Sequence, residues 1–152
     1  MARAGIGLGS NLGDPAANVR AAIDALSEVG TVTSRSQLYR TKPWGRTDQP
    51  DFCNAAAIVE TQLPPRELLE QLKALEQRLG RTPSERWGPR AIDFDILFYD
   101  GVSLDESGLQ LPHPRLFERA FVLVPLAEID ERFAAAAEAL PPAERASVEA
   151  NP

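Results

Sequence analysis

The sequence predicts a mixed α/β fold in one domain, and three observations carry the prediction. Four segments have the composition and alternation of β-strands, and two carry apolar stripes at helical spacing. They follow one another as strand, helix, strand, strand, helix, strand, the split βαβ order of ferredoxin-like sheets. At 152 residues the chain has the length of a single domain, and 43% hydrophobic residues let it build a core without covalent staples.

Each element has a local reason. Ile6 and Leu8 alternate with glycines, so a short first strand runs into the turn Gly9-Ser10-Asn11-Leu12-Gly13. In the helix that follows, Asp14 is the cap, Pro15 the first residue and Gly30 the stop; Val19, Ala22, Ile23 and Leu26 form its buried stripe. Residues 31–40, rich in Thr, Ser and Val, read as a second strand ending near Tyr39, and 55–61 as a third that pairs with it. A polar loop, 42–51, joins them. The clearest helix opens near Pro65, carries Leu68, Leu69, Leu72, Leu75 and Leu79 on one face and closes at Gly80. After a loop at 81–91, the run from Ile92 to Phe98 alternates, with Ile92, Phe94, Ile96 and Phe98 facing the core. Two short strands or turns at 102–111 and a short helix near 115–130 complete a three-layer domain over residues 1–133. Residues 134–152, Ala-rich with Pro141-Pro142, read as a marginal helix and a frayed tail of the same domain.

Composition removes several classes of function. No apolar run approaches the roughly 20 residues of a bilayer span, and the first residues do not read as a signal peptide. The single cysteine, Cys53, cannot make an internal disulfide, which fits a cytoplasmic protein. With one His and one Cys, a zinc site of the usual ligands is out of reach, so any metal is a hard cation such as Mg²⁺ held by carboxylates. A net charge of −6 argues against a nucleic-acid surface. Charge is uneven, however. Between Arg78 and Arg90 four arginines stand against Glu85 alone, an island that suits a small anionic ligand.

Beside that island, Asp93 and Asp95 lie two apart on a strand and so share a face. Their Cα atoms stand roughly 6.5 Å apart, and two charges there repel by roughly 2.5 kcal/mol at an effective dielectric near 20. They are either two solvated acids or the ligands of a cation, and the arginines favour the second reading, since arginines and a metal together clamp phosphates. Glu76 falls on or beside the leucine stripe, either at its edge reaching water or buried and paired, where it could accept from a ligand's amine. His113 sits between two prolines; alone it reads as structural or exposed. Trp44 and Trp87 fall in Gly-, Pro- and Arg-rich loops where stacking on a flat ring is plausible, whereas Phe52 and Phe121 alone read as core.

Together these segments resemble the 6-hydroxymethyl-7,8-dihydropterin pyrophosphokinase family. The resemblance spans about residues 5–129: Gly9-Ser10-Asn11-Leu12-Gly13, Tyr39-Arg40-Thr41-Lys42-Pro43-Trp44-Gly45, Asp48-Gln49-Pro50-Asp51-Phe52, Asn54-Ala55, Gly80-Arg81, Pro112-His113 and Glu118-Arg119-Ala120-Phe121-Val122-Leu123. Its most specific part is Arg86-Trp87-Gly88-Pro89-Arg90 through Asp93-Phe94-Asp95 to Leu97.

The resemblance implies transfer of pyrophosphate from ATP to a pterin alcohol by a monomeric cytoplasmic enzyme, with no nucleic-acid or membrane partner. It implies that Asp93 and Asp95 hold two Mg²⁺ ions and that Arg81 and Arg90 act on the phosphates. It assigns His113 and Arg119 to further phosphate contacts, and Glu76, Trp87 and Ile96 to the nucleoside side. Thr41, Pro43, Trp44 and Asn54 correspond to the pterin edge, and Phe52 and Phe121 to the aromatic pair enclosing the ring. The chain departs from the pattern at Phe94, where a smaller aliphatic is usual, and at 81–86, which lacks further basic residues. The alternative is a catalytically silent relative that binds nucleotide or pterin; two adjacent acids with Arg81 and Arg90 argue against it, because binding alone does not require them.

Overall fold

A computed structural model describes residues 1–42, 50–80 and 91–150. Strand β1 (Ala2–Ser10) is followed by helix α1 (Pro15–Ala25), β2 (Thr31–Arg35), β3 (Tyr39–Thr41), β4 (Phe52–Thr61), α2 (Pro65–Arg78) and β5 (Asp93–Tyr99). The hairpin β6 (Leu104–Glu106) and β7 (Leu109–Leu111) comes next, then α3 (Ala120–Ile129), α4 (Ala134–Glu138), α5 (Pro142–Ala146) and β8 (Val148–Ala150).

The main sheet is antiparallel in the order β5-β1-β4-β3-β8, with β2 pairing farther along the β4 edge that also receives β3. This is the expected split βαβ arrangement, the second predicted strand being divided into β2 and β3. The division has a local cause: Ser36 uses its N–H on the Ala56 carbonyl, and its hydroxyl accepts from the Ala56 N–H, so a side chain replaces one rung of the ladder.

Because strand residues alternate, each strand supplies both faces of the sheet. Ala4, Ile6, Leu8, Cys53, Ala55, Ala57, Val59, Phe94 and Ile96 pack under α1 and α2, against Val19, Ile23, Leu68, Leu72 and Leu75. On the other face Ala56, Ile58, Leu97 and Phe98 pack under α3 with Leu116, Leu123, Leu126, Phe133 and Leu140. Asp14 caps α1, its Oδ1 accepting from Ala17 N–H at 3.2 Å, and Gly80, at φ +97°, closes α2.

Three features differ from expectation. Phe98 does not share the face of Phe94 and Ile96: Gly5 pairs with Phe98 while the next residue, Ile6, pairs with Ile96, so Leu97 is an extra residue and a bulge turns Phe98 to the α3 side. Gly30 does not stop a helix; α1 ends earlier in a 3-10 turn over Leu26–Glu28, and a Cβ at residue 30 would lie 2.3 Å from the Glu60 carbonyl oxygen, so glycine is required by close approach to β4. Residues 134–150, expected as a marginal helix and frayed tail, form α4, α5 and β8, with Leu140 buried and β8 hydrogen-bonded along β3. Among the described residues no helix is long and apolar enough to cross a membrane.

Candidate active site

The sheet's α3 face carries a lateral row in which Asp93 of β5 pairs with Gly9 of β1, Gly9 with Asn54 of β4, and Asn54 with Tyr39 of β3. Asp95 stands beside Asp93 on the same face and pairs with Gly7. Opposite each aspartate β1 therefore presents no side chain, and a cleft of about 140 Å³ opens above the glycines. Its lining brings together Thr41, Phe52, Asn54, Asp93, Asp95, Arg119 and Phe121. These are residues from three strands and the start of α3.

The cleft has a polar end and an aromatic end. Asn54 Nδ2 donates to Thr41 Oγ1 at 2.6 Å, both side chains being buried. Asn54 lies so close over the sheet that a Cβ on residue 9 would come within 2.7 Å of its Oδ1. Phe52 and Phe121, from β4 and α3, are half-buried and line the same space, and the Arg119 guanidinium sits 5.5 Å from the Phe121 ring centroid. Burial pushes the pKa of Arg119 down, and the carboxylates of Asp95 and Asp93 pull it up; the group remains cationic and its charge faces theirs.

On the other side of β5 a second cleft, of about 290 Å³, is lined by Leu69 and Lys73 of α2, Asp95 and Ile96 of β5, and Leu109, Gln110 and His113. Asp95 belongs to both. The His113 backbone N–H donates to the Leu97 carbonyl at 2.8 Å, tying its loop to β5. Its Nδ1 accepts from the Arg115 N–H at 3.1 Å, which leaves the ring proton on Nε2. Burial, then the charges of Arg119 and Arg115, hold the His113 pKa below its ordinary value, so the imidazole is a neutral donor at pH 7.

Glu76 is not at the edge of the leucine stripe. It is 1% exposed, and its Oε2 accepts from the Phe94 backbone N–H at 2.9 Å while Lys73 Nζ lies 3.3 Å from Oε1. The lining of neither cleft includes it. It holds the peptide between the two aspartates, from the outer edge of β5. Pro43, Trp44, Arg81, Trp87 and Arg90 lie outside the described residues.

The glycines Gly7 and Gly9 line the cleft and are not among the site residues that the sequence singles out. Their signal was the alternation itself. Ile6 and Leu8 face the α1–α2 core, so the residues between them face the cleft, where any Cβ would fill it or strike Leu97 and Asn54. The turn after β1 supports the same region, with Asn11 Nδ2 donating to the Pro50 carbonyl at 3.1 Å and Asn18 Nδ2 to Leu12 O at 2.8 Å.

Residues 5–131 match the family model described as 7,8-dihydro-6-hydroxymethylpterin-pyrophosphokinase (HPPK). The 2-amino-4-hydroxy-6-hydroxymethyldihydropteridine pyrophosphokinase of Methylorubrum extorquens is 51% identical over 131 residues, 85% of this chain and 83% of its own length. The protein of the same name from Bacillus subtilis is 47% identical over 126 residues, covering 82% and 75% of the two chains. A Plasmodium falciparum HPPK-DHPS crystal structure with pterin and p-hydrobenzoate superposes on 98% of this chain with a TM-score of 0.71 at 14% identity. This chain spans 47% of that longer one, and the likeness concerns the fold.

Proposed function

The chain belongs to the 7,8-dihydro-6-hydroxymethylpterin-pyrophosphokinase family, and from that membership we propose that it transfers pyrophosphate from ATP to the hydroxymethyl group of 6-hydroxymethyl-7,8-dihydropterin, releasing AMP, in folate biosynthesis. The observation that carries the reading is the Asp93–Asp95 pair, side by side in the lining of a cleft that Phe52, Phe121 and the Thr41–Asn54 pair also line.

In this reading the pterin lies flat between Phe52 and Phe121, with Thr41 and Asn54, joined by Pro43 and Trp44, at its polar edge. ATP occupies the second cleft around β5, its base beside Ile96 and its phosphates reaching the aspartates. Glu76 and Trp87 complete the nucleoside side, Glu76 acting through the β5 backbone. His113, as a neutral Nε2–H donor, and Arg119, as a cation, meet phosphate oxygens. Arg81 and Arg90 stabilise the charge that develops during transfer.

The donor set fits Mg²⁺, which takes one or two protein carboxylates and completes its octahedron with water and substrate phosphates. Among the described residues no third His, Cys or carboxylate joins the pair. Two Mg²⁺ ions would supply neutralisation of the phosphate charge and acidification of the alcohol. The chain's own residues hold the two substrates so that the hydroxyl oxygen stands in line with the β-phosphorus. As the new O–P bond forms, the bond to the AMP oxygen breaks and the hydroxyl proton is lost. Positioning of this kind can supply most of the barrier reduction in phosphoryl-type transfer. A monomer in the cytoplasm completes the reading, and the buried, free Cys53 fits a reducing compartment.

The test is AMP release from ATP and Mg²⁺ with and without the pterin alcohol. AMP formed only when the pterin is present supports the reading. Absent or pterin-independent AMP formation overturns it.

A further inference from the structure

Strand β3 is three residues long and ends at Thr41, the cleft residue that accepts from Asn54. On one side it is held by β4, through the pairs Tyr39–Asn54, Arg40–Cys53 and Thr41–Phe52. On the other it is held by β8, through Tyr39–Ala150, Arg40–Glu149 and Thr41–Val148. A three-residue strand at a sheet edge has little independent stability, so a flanking ladder on its open side changes how firmly its last residue is placed.

The side chains add to this. Residues paired across a ladder share a face, so Val148 stands on the α3 side with Thr41. There it belongs to the same apolar cluster as Phe121, the aromatic wall of the cleft. Arg40 and Glu149 pair at 3.0 Å on the opposite face, exposed and therefore of small weight. α3 and α5 both touch β8, and Leu140 anchors the segment between them in the core. Leu140, α5 and β8 lie beyond residue 131, where the family match ends.

We propose that the C-terminal segment 134–150 is a positioning element of the pterin-side cleft, with β8 fixing Thr41 through β3 and Val148 backing the wall that carries Phe121. The inference rests on the pterin reading of that cleft. It makes binding of the flat, heteroaromatic substrate depend on β8, while the nucleotide cleft beyond β5, at the opposite end of the sheet, does not.

The experiment uses full-length Val148→Pro, Glu149→Pro and Val148→Ala. Backbone N–H groups alternate sides along a strand, so one of the two prolines removes a donor to β3 and the other does not. Val148→Ala keeps the ladder and trims the packing on the apolar cluster that Phe121 shares. KM for the pterin alcohol and for ATP, kcat, and hydrogen exchange at the Arg40 and Thr41 amides are measured. The expected result is faster exchange at Arg40 and Thr41 in one proline variant, with its pterin KM raised about tenfold, equivalent to 1.4 kcal/mol, and its ATP KM within about twofold. A smaller rise in pterin KM alone is expected for Val148→Ala. Unchanged pterin KM in all three variants overturns the proposal, and so does an equal rise in both KM values. Wild-type protein that neither binds nor turns over the pterin defeats the reading of the cleft, and this inference with it.

Discussion

Gly9→Ala is the sharpest test of the cleft's polar end. The φ of Gly9 is not among the positive values, so alanine strains no torsion there and the added methyl is the whole perturbation. That methyl would stand 2.7 Å from Asn54 Oδ1, whereas Phe52 at 3.8 Å is in ordinary contact. Asn54 must therefore yield by several tenths of an ångström. It is 6% exposed and Thr41 4%, so no bulk water replaces the 2.6 Å bond between them once it is broken. Losing a hydrogen bond of this kind costs about 0.5–1.5 kcal/mol, and leaving a buried partner unsatisfied raises the cost to about 1–3 kcal/mol. If the same two side chains read the pterin edge, its affinity falls by about tenfold, since 1.4 kcal/mol is one decade. Titration calorimetry with the pterin and with a non-hydrolysable ATP analogue, alongside thermal melts, separates the two effects. A lowered Tm with pterin affinity unchanged would refute the assignment of Asn54 and Thr41 to the pterin edge.

Other outcomes follow from the same geometry. Asp95→Ala should abolish turnover and leave far-UV circular dichroism and Tm near wild type, because its carboxylate faces the clefts and not the core; turnover near the wild-type rate would remove Asp95 from the reacting centre. Gly5→Ala places a Cβ 2.2 Å from Phe98 Cε2, in a ring already stacked on Phe133 at 5.6 Å. Overpacking of this kind costs about 1–3 kcal/mol, a fall in Tm of several degrees at this chain length, with KM values little changed. Glu76→Gln keeps an acceptor for the Phe94 N–H and should retain most activity, whereas Glu76→Ala should lower both kcat and stability; equal activity in the two variants would show that the β5 peptide needs no such anchor. His113 is the one histidine, so its NMR titration is unambiguous, with a midpoint expected below the ordinary 6.5 or so. The sign follows: the folded state resists protonation, so stability is intact above about pH 6.5 and declines as pH falls below it toward the folded-state value. A midpoint above 6.5 would contradict the half-buried, cation-flanked environment.

The sequence disclosed the order of the main elements because they carry their own periodicity. The leucine stripe of α2, the Asp14 cap and the spacing of Asp93 and Asp95 are local facts that packing did not override. Elements defined by a partner were not legible. β8 is three residues long and exists because β3 offers it an edge, and nothing in Val148-Glu149-Ala150 announces that. The leucine stripe leaves Glu76 open between its rim and a buried, paired position, because the Phe94 N–H that it accepts from is 18 residues away and is brought near only by the packing of α2 on β5. Phe52, Phe121, Thr41 and Asn54 reached the candidate site through family resemblance. By composition alone the two phenylalanines are indistinguishable from core residues, and the structure supplies the cleft they share. Gly7 and Gly9 are the reverse case, since their alternation with Ile6 and Leu8 was visible but had no meaning until the face they vacate was known.

The extra residue at Leu97 also governs how β5 can be varied. Up to Ile96, even-numbered positions belong to the α1–α2 layer and odd-numbered ones to the α3 face. Past the bulge the assignment reverses, so that Phe98 serves the α3 layer and Tyr99 the other. A combinatorial library that imposed one polar–apolar rhythm along the whole strand would mis-sort both. Deleting the residue at 97 would leave one unbroken alternation, with Phe98 still opposite Gly5 on the α3 side and Tyr99 opposite Ala4 on the other, and the α3 layer would lose the Leu97 side chain. The strand is two short sequence problems joined end to end, and the aspartates sit wholly within the first.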